Sequence, residues 1–491
     1  MKKLFWFAVG CGLLGAAGRP AGAAGRAEHV VVVVWDGMRP DFITPQYTPT
    51  LYNLAKSGVF FRKHHAAYVS STEVNGTAIA TGAHPDHSGI IANVEYDPEL
   101  GWVSPHPTES LDAIRRGDML TGGHYIAVPT VAETLQKAGH PTIIAGTKPV
   151  ALMHDRTGAN KRLTPAQSNS VVLFKGQTIP RAALPALIKV NEDKVFPTNT
   201  VHPNTAADAW TTKALTHVLW KKEIPKYTLL WLSDPDASQH EASPGSDIAI
   251  QALASCDKNL EEVLKALDEK KVRDKTDVFV VSDHGFSTIK RGPDITEILK
   301  KAKFKAFKKF EDSERGDVMV VGLGGSALFY VIDHDREVIR KLVEFLQGSD
   351  FAGVVFSQLP LDGTFPLSTV RIGPSNAAPD VVVSLRWWAD KNDHGAPGLI
   401  TADGGTKGKG THASLSRYDM HNTLVAAGPD FKQGFRSDTP SGNIDLAPTI
   451  LHLLGVPPAR PLDGRVLHEA LTSGSAPAPE IETKTDRKSV V

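Results

Sequence analysis

The chain has 491 residues, of which 41% are hydrophobic and 22% charged, so it can bury a large core. Its 54 basic and 54 acidic residues cancel, which argues against a bulk electrostatic attraction to nucleic acid or an anionic membrane. Only two cysteines occur, Cys11 and Cys256. Cys256 lies in a predicted helix and is expected to be a small buried hydrophobic residue. The composition therefore indicates a globular protein stabilised by its core, with no disulfide framework and no nucleic acid partner.

The N-terminus has the pattern of an export signal. Lys2 and Lys3 precede an apolar stretch from residue 4 to about residue 17, and small residues at 21–23 resemble a cleavage site. The stretch is too short for a membrane span, and no later segment is apolar enough to be one. A lipidation box around Cys11 is the alternative interpretation. We predict a signal peptide at residues 1–24, no membrane span after its removal, and a periplasmic or secreted protein.

Apolar runs typical of buried strands alternate with helical patterns through the rest of the chain. This alternation predicts an α/β fold with a mostly parallel sheet flanked by helices. The predicted strands are His29–Val34, Pro141–Ala145, Thr228–Leu232, Asp277–Val281, Asp380–Leu385 and Thr423–Ala427. The predicted helices include Thr50–Ser57, Val131–Ala138, Thr205–Lys221, Ile248–Glu269 and Asp445–Leu454.

The pattern changes between residues 290 and 375, where a basic amphipathic stretch leads into short strands and one helix. We predict a small α+β subdomain at 291–375, inserted into a core formed by 28–290 and 376–472. Residues 473–491 are rich in Pro, Ala, Lys, Glu and Thr and are predicted to be a disordered tail. Residues 96–125 and 156–202 are predicted to be long loops, which in compact domains are usually functional.

Acidic residues follow three of the predicted strands. Asp36 follows a run of five valines and a tryptophan, Asp236 ends an Asp-Pro-Asp sequence, and Asp283 begins Asp-His-Gly. The carboxyl ends of parallel strands meet at one edge of a sheet, where ligands of open α/β sheets bind. Carboxylates gathered there repel one another unless a cation holds them. These strand ends therefore predict a metal site.

Histidines accompany these acids. His240 comes four residues after Asp236, so both side chains point the same way if a helical turn begins at Pro235. His284 is adjacent to Asp283, and His412 follows a glycine-rich loop at residues 404–410. Three Asp and three His form a nitrogen and oxygen ligand set that suits zinc. Six ligands are too many for one tetrahedral zinc and suit two.

The motifs around these residues resemble those of the type I phosphodiesterase/nucleotide pyrophosphatase family of the alkaline phosphatase superfamily. They are VVWDGMR ending at residue 39, STEVNG at 71–76, PDASQH ending at 240, SDHG at 282–285 and GTH ending at 412. The similarity extends from about residue 30 to residue 471. It implies an alkaline-phosphatase-like α/β fold and an enzyme that hydrolyses phosphodiester or pyrophosphate bonds in a small phosphorylated substrate.

The resemblance also implies a role for each site residue. Two zinc ions would be bound, one by Asp236, His240 and His412, and the other by Asp36, Thr72, Asp283 and His284. Thr72 would be the nucleophile and would form a phosphothreonine that water hydrolyses. Asn75 would donate a hydrogen bond to a phosphoryl oxygen at which charge develops.

The chain departs from the nucleotide-cleaving members at two positions. Glu73 stands directly after the nucleophile, where those members have an aromatic residue that stacks on the base, and Gly76 replaces a histidine. Both changes put nucleotide specificity in doubt. Lys148 and Arg156 are additional cations that can bind an anionic substrate. Asn75, Lys148 and Glu73 are therefore the predicted substrate-binding residues.

The charge of the predicted centre bears on the substrate. Two Zn²⁺ ions and three carboxylates leave a net charge of about +1, which suits a phosphodiester monoanion. A phosphate monoester or a phosphonate would need further cations, so a phosphonoacetate hydrolase-like or phosphomonoesterase activity is the alternative. A non-catalytic metal-stabilised binding protein is a remote alternative from another class.

Overall fold

The structure is a computed structural model that describes residues 25–156, 170–197, 201–373, 377–474 and 480–483. The predicted signal peptide at 1–24 lies outside these residues, as does most of the predicted tail at 473–491. Across the described ranges, we find no helix with the length and apolar character needed to traverse a bilayer.

A nine-stranded sheet forms the centre of the molecule, and the five-valine run lies in its middle strand. Val30, Val32 and Val34 pack into the core on one face, while Val31 and Val33 pack into the core on the other. Both faces are covered, so the strand is apolar throughout instead of alternating. Across the sheet the strands are Phe435–Ser437, Val59–Phe61, Leu424–Ala427, Thr276–Val281, His29–Trp35, Tyr227–Leu232, Thr142–Gly146, Val171–Phe174 and Gln177–Ile179.

Most of this sheet is parallel. Each neighbouring pair from Thr276–Val281 to Val171–Phe174 is parallel. Leu424–Ala427 is antiparallel to both of its neighbours, and Gln177–Ile179 is an antiparallel edge strand. The predicted fold class, an α/β fold with a mostly parallel sheet flanked by helices, is confirmed.

Helices cover both faces of the sheet. The predicted helices are found within a few residues of their expected ends, except that Thr205–Ala214 continues as a π-helix, Leu215–Leu219. Cys256 is buried in Asp247–Glu269, as expected. The described α-helices are Pro49–Ser57, Thr72–Thr81, Pro85–Ser88, Leu111–Thr121, Val131–Lys137, Ala151–His154, Leu184–Val190, Thr205–Ala214, Asp236–Ala242, Asp247–Glu269, Ile295–Lys301, Arg336–Gln347, Arg417–Met420 and Leu446–Leu453.

The two predicted long loops contain regular structure. The first, at 96–125, includes helix Leu111–Thr121. The second, at 156–202, includes strand Val171–Phe174, the edge strand Gln177–Ile179 and helix Leu184–Val190. These strands are only three or four residues long. They are too short for their periodicity to be recognised in the sequence.

A second sheet of six strands lies in the region where an insertion was predicted. Helix Arg336–Gln347 packs its apolar side on this sheet. Strand Val381–Leu385 pairs with two of its members, so this unit extends beyond the predicted boundary at residue 375. The run Val-Val-Val-Ser-Leu indicates a buried strand without indicating which sheet it joins. The sheet order is Ala306–Phe307, Val318–Gly322, Ser326–Val331, Val381–Leu385, Ala352–Ser357 and Phe365–Pro366.

The six-stranded sheet contacts the segment that carries His412. In the turn between two of its strands, Gly325 N donates to His412 O at 2.8 Å. A four-stranded sheet lies beside it, in the order Trp387–Lys391, Pro397–Thr401, Ser287–Arg291 and Gly410–Thr411. Pairing between Ser287–Arg291 and Gly410–Thr411 brings the chain back to the strand end near His284.

Candidate metal centre and active site

Three acidic side chains meet at one edge of the central sheet. Asp36 follows strand His29–Trp35, Asp283 follows the adjacent strand Thr276–Val281, and Asp236 is the first residue of helix Asp236–Ala242. All three side chains are buried. The parallel pairing of their strands brings them together, as the sequence predicted.

Gly37 allows the sharp turn that places these acids close to one another. Its φ is +70°, and a Cβ atom there would lie 3.1 Å from Cβ of Asp236 and 3.0 Å from the Phe286 ring. Its backbone N–H donates to Asp283 Oδ1 at 3.0 Å. A larger residue at position 37 would therefore be strained and would separate two of the carboxylates.

The three histidines are oriented in the same manner. Each Nδ1 donates to a backbone carbonyl: His240 to Gly410 at 3.1 Å, His284 to Gly285 at 2.8 Å and His412 to Ser70 at 2.9 Å. A carbonyl can only accept, so each Nδ1 carries a proton, and in the neutral ring the lone pair is on Nε2. This is the arrangement by which proteins prepare a histidine for a metal ion.

The Nε2 atoms face the carboxylates. His240 Nε2 and His412 Nε2 lie 3.3 and 3.6 Å from Asp236 Oδ1. His284 Nε2 lies 3.6 Å from Asp36 Oδ1 and 3.3 Å from Asp283 Oδ2. Within the described part of the chain, these three carboxylate oxygens are buried and have no hydrogen-bond partner. Buried unpaired oxygens beside imidazole Nε2 atoms fit a bound cation.

Two overlapping groups of atoms have the spacing of metal ligands. One consists of Asp236, His240 and His412, and the other of Asp36, Asp236 and His284, with all ligand atoms of a group within 4.8 Å of one another. The first is the set expected for one ion. The set expected for the other ion was Asp36, Thr72, Asp283 and His284. The second group contains two of these residues, Asp36 and His284.

Burial and local charge set the protonation of these groups. Burial, reinforced by Asp283, raises the pKa of Asp36 well above its usual value. Burial and the ring of His284, stacked with a centroid separation of 3.7 Å, lower the pKa of His412 well below its usual value. His412 is therefore neutral at physiological pH, which is the protonation state that binds a metal.

Thr72 lies at the rim of this cluster. It is the first residue of helix Thr72–Thr81, after the N-cap residue Ser71, and its Oγ1 is 3.2 Å from His284 Nε2. Its hydroxyl is thus held next to one of the metal-ligand groups.

Asn75 is placed differently from the expectation. Its Nδ2 donates to the carbonyls of Ala67 at 3.0 Å and Ser71 at 3.1 Å, with Val69 O at 3.4 Å. Its Oδ1 accepts from Ala67 N at 2.7 Å. The amide is committed to the turn before Thr72, so it has no N–H left for a phosphoryl oxygen.

A different asparagine lies beside the start of this helix. Glu73 N donates to Asn93 Oδ1 at 3.1 Å, and within the described residues Asn93 Nδ2 has no hydrogen-bond partner. Asn93 was not predicted, because it lies in an irregular segment without a spacing pattern that links it to Thr72. Its free amide is the feature that was expected of Asn75.

The two candidate cations have different surroundings. Arg156 is buried and pairs with Asp118 at 2.6 Å and with Glu133 at 3.1 Å, so its charge is already balanced within the core. Lys148 lies in the centre, with Nζ 2.8 Å from Asp36 Oδ2 and 3.0 Å from Asp236 Oδ2. Of the two, the structure places only Lys148 with the metal-ligand groups.

Glu73 and Gly76 pack beside Thr72. Burial and repulsion from Glu109 raise the pKa of the Glu73 carboxyl well above its usual value. At Gly76 a Cβ atom would lie 2.6 Å from Val150 and 3.2 Å from the Trp231 ring. Val150 and Trp231 therefore fill the space that a side chain at position 76 would need.

Comparisons with known proteins identify the family and agree with the fold. A family model described as type I phosphodiesterase/nucleotide pyrophosphatase matches residues 30–412. Human ectonucleotide pyrophosphatase/phosphodiesterase family member 5 is 21% identical over 447 residues, covering 87% of this chain and 75% of that protein. A venom phosphodiesterase of Macrovipera lebetinus is 22% identical over 460 residues, covering 92% of this chain and 46% of its own length.

Solved structures share the fold. Human ectonucleotide pyrophosphatase/phosphodiesterase 5 superposes with a TM-score of 0.62 at 16% identity, covering 91% of this chain and 100% of that chain. The murine protein was solved as an inactive threonine-to-alanine variant in complex with AMP. It superposes with a TM-score of 0.61 at 17% identity, covering 90% of this chain and 100% of that chain.

The fold is therefore alkaline-phosphatase-like, and the expected enzyme class, a phosphoric ester hydrolase, is confirmed. More specifically, the chain belongs to the type I phosphodiesterase/nucleotide pyrophosphatase family.

Proposed function

We propose that this protein is a dizinc hydrolase that cleaves phosphodiester or pyrophosphate bonds through a phosphothreonine intermediate. The observation that supports this most strongly is the convergence of three unpaired carboxylate oxygens and three histidine Nε2 atoms beside the hydroxyl of Thr72. A structural ion-pair cluster would leave fewer of these atoms without partners.

The ligand atoms divide between two ions. Asp236, His240 and His412 would hold one, and Asp36, Asp283, His284 and Thr72 the other. Two zinc ions there would supply the charge that lowers the pKa of an alcohol nucleophile and draws electron density from the phosphoryl group.

Thr72 supplies the nucleophile. Its Oγ1 forms a bond to phosphorus while the bond from phosphorus to the leaving-group oxygen breaks, and water then hydrolyses the phosphothreonine. The hydroxyl is held at the start of helix Thr72–Thr81, and Asn75 fixes the turn that precedes it. The helix thus places the attacking oxygen before substrate arrives.

Asn93 replaces Asn75 as the proposed donor to a phosphoryl oxygen. Its Oδ1 is bonded to Glu73 N, which fixes the amide plane beside Thr72 and leaves Nδ2 free. A preorganised N–H at this position would stabilise the charge that develops on phosphoryl oxygens during attack.

The substrate is a small phosphorylated molecule. Similar proteins are named as phosphodiesterases and pyrophosphatases, and murine ectonucleotide pyrophosphatase/phosphodiesterase 5 has been solved with AMP. Glu73, an acid directly after Thr72, disfavours a nucleobase stacked at that position. We therefore propose small phosphodiesters ahead of nucleotides.

A second candidate is a phosphonoacetate hydrolase-like or phosphomonoesterase activity. Lys148 favours it, because its ammonium group adds one positive charge at the centre and a dianionic substrate needs more positive charge than a diester. The proposal that the enzyme acts in the periplasm or as a secreted protein rests on the sequence pattern at residues 1–24.

A hydrolysis panel tests the proposed function. Zinc-loaded protein would be assayed with bis-p-nitrophenyl phosphate, p-nitrophenyl phosphate, phosphonoacetate and a dinucleoside pyrophosphate. We expect the diester to give the highest kcat/KM. Faster hydrolysis of the monoester or of phosphonoacetate would establish the second candidate, and no hydrolysis of any substrate would refute both.

A further inference from the structure

Lys148 occupies an unusual position in the centre. It lies just after strand Thr142–Gly146, the parallel neighbour of Tyr227–Leu232, and its side chain is only 20% exposed. Its Nζ donates to Asp36 Oδ2 at 2.8 Å and to Asp236 Oδ2 at 3.0 Å. The same oxygen of Asp36 also accepts the indole N–H of Trp231 at 2.9 Å.

The two oxygens of each carboxylate therefore have different surroundings. The Oδ2 atoms of Asp36 and Asp236 are bonded to Lys148, whereas the Oδ1 atoms are unpaired within the described residues and face the histidine Nε2 atoms. The lysine thus joins one carboxylate from each proposed metal set, at the oxygens that do not face the histidines.

We propose that Lys148 is a positioning residue that links the two halves of the metal centre, and that it is not a substrate-binding residue. It fixes the separation and orientation of the two carboxylates, and it compensates their charge while metal is absent. Assigning its two partners to different ions rests on the proposed function.

The alternative, that Lys148 binds a substrate oxyanion, has a structural cost. An ammonium group has three N–H bonds, and two of them are already directed at buried carboxylates. Movement of Lys148 toward substrate would break its hydrogen bond to Asp36 or to Asp236. It would also release the carboxylate orientation that these two bonds fix.

Thermal unfolding of the metal-free and zinc-loaded proteins tests the proposal without an activity assay. Lys148→Met should lower the Tm of the metal-free protein by roughly 3 °C or more, because two buried carboxylates lose their cation. Zinc should restore most of this difference, so the zinc-induced rise in Tm should be larger in the variant than in the wild type. Lys222→Met, a change at an exposed lysine, is the control and should leave the rise unchanged.

Equal zinc-induced rises in Tm for the wild type and Lys148→Met would overturn the proposal. If the metal-free Lys148→Met protein does not fold, Lys148→Arg takes its place, because it keeps the charge and changes the geometry. A metal-free Tm of Lys148→Arg equal to that of the wild type would then count against a role for lysine in positioning.

Substrate charge gives a second, independent readout. A positioning residue acts on the centre itself, so Lys148→Met should lower kcat for p-nitrophenyl phosphate and bis-p-nitrophenyl phosphate by a similar factor, roughly 10- to 100-fold. A loss confined to the monoester dianion would show that Lys148 contacts substrate. Failure of the wild type to hydrolyse either compound would refute the proposed function, and the unfolding experiment would still decide the role of Lys148.

Discussion

The backbone N–H of Glu73, the residue directly after Thr72, donates to the side-chain carbonyl of Asn93 at 3.1 Å. This bond fixes a residue from an irregular loop against the first turn of the helix that carries the proposed nucleophile. It also separates the roles of the two asparagines near Thr72. Asn75 stabilises the turn, and Asn93 has an amide N–H that no other described residue accepts.

Alanine substitutions of the two asparagines should have different effects. Asn93→Ala should reduce kcat about 10²- to 10³-fold with little change in Tm, because it removes a donor to the transferring phosphoryl group. Asn75→Ala should instead destabilise the fold by about 1–3 kcal/mol, because it leaves buried backbone groups unpaired. Steady-state kinetics and thermal unfolding distinguish these outcomes. If Asn75→Ala loses activity without losing stability, Asn75 is the donor to the phosphoryl oxygen, as first expected from the sequence.

Thr72→Ala should remove nearly all turnover while most of the bound zinc is retained, because the other proposed ligands remain. Thr72→Ser should keep measurable activity, since the hydroxyl group is preserved. Elemental analysis and kinetics on the same preparations check both statements. If Thr72→Ala kept more than roughly a tenth of the wild-type kcat, water rather than Thr72 would be the nucleophile.

The purified protein should contain about two zinc ions per chain, and prolonged treatment with EDTA should abolish hydrolysis. His412→Ala should lower the zinc content, because it removes a proposed ligand. His65→Ala, at an exposed histidine outside the centre, serves as the control and should have no effect on zinc content. Elemental analysis of the wild type showing a single ion per chain would contradict the two-zinc proposal.

Asp277 should make stability depend on pH. Burial and repulsion from Asp430 raise the pKa of Asp277 to about 8 in the folded protein, above its ordinary value. The protonated form therefore favours folding, and its contribution is complete at acidic pH and is lost as the pH rises toward and through 8. Between pH 6 and pH 9, the Tm of Asp277→Asn should fall less than the Tm of the wild type. If the Tm of both proteins changes equally with pH, Asp277 does not titrate as described.

Glu73 should discriminate against substrates that carry additional negative charge. Glu73→Gln should raise kcat/KM for a dinucleoside pyrophosphate relative to bis-p-nitrophenyl phosphate, because it removes like-charge repulsion near Thr72. Burial and Glu109 raise the pKa of Glu73, so the effect should grow with pH as the carboxyl ionises. The ratio of the two kcat/KM values, measured across pH, is the test. Glu223→Gln, at an exposed glutamate, should leave that ratio constant.

The sequence predicted that the residues of the proposed metal centre would meet at one sheet edge, because each lies next to a strong local signal. Asp36, for example, follows five valines that can only be a fully buried strand. Once the strands are recognised as parallel, their carboxyl ends must share an edge of the sheet. The acidic residues that come after these strands must then lie close together. His240 was predicted for a similar reason, since a helical turn places it above Asp236.

Features that depend on tertiary contacts were not predictable from local pattern. Val381–Leu385 has the composition of any buried strand, and only its partners show that it belongs to the six-stranded sheet. The role of Asn93 depends on one bond to a backbone N–H in another element. The burial of Arg156 depends on acids distant in sequence. None of these contacts has a characteristic spacing along the chain.

The contact between Gly325 and His412 has a consequence for the order of assembly. A ribosome makes five of the six histidine and aspartate ligands, ending with His284, before it makes the six-stranded sheet, and it makes His412 afterwards. The segment that carries His412 then rests on the Gly325 backbone, through a hydrogen bond to the carbonyl of His412 itself. The six ligands therefore cannot come together until the six-stranded sheet has been synthesised, and a nascent chain halted before residue 412 lacks a complete centre.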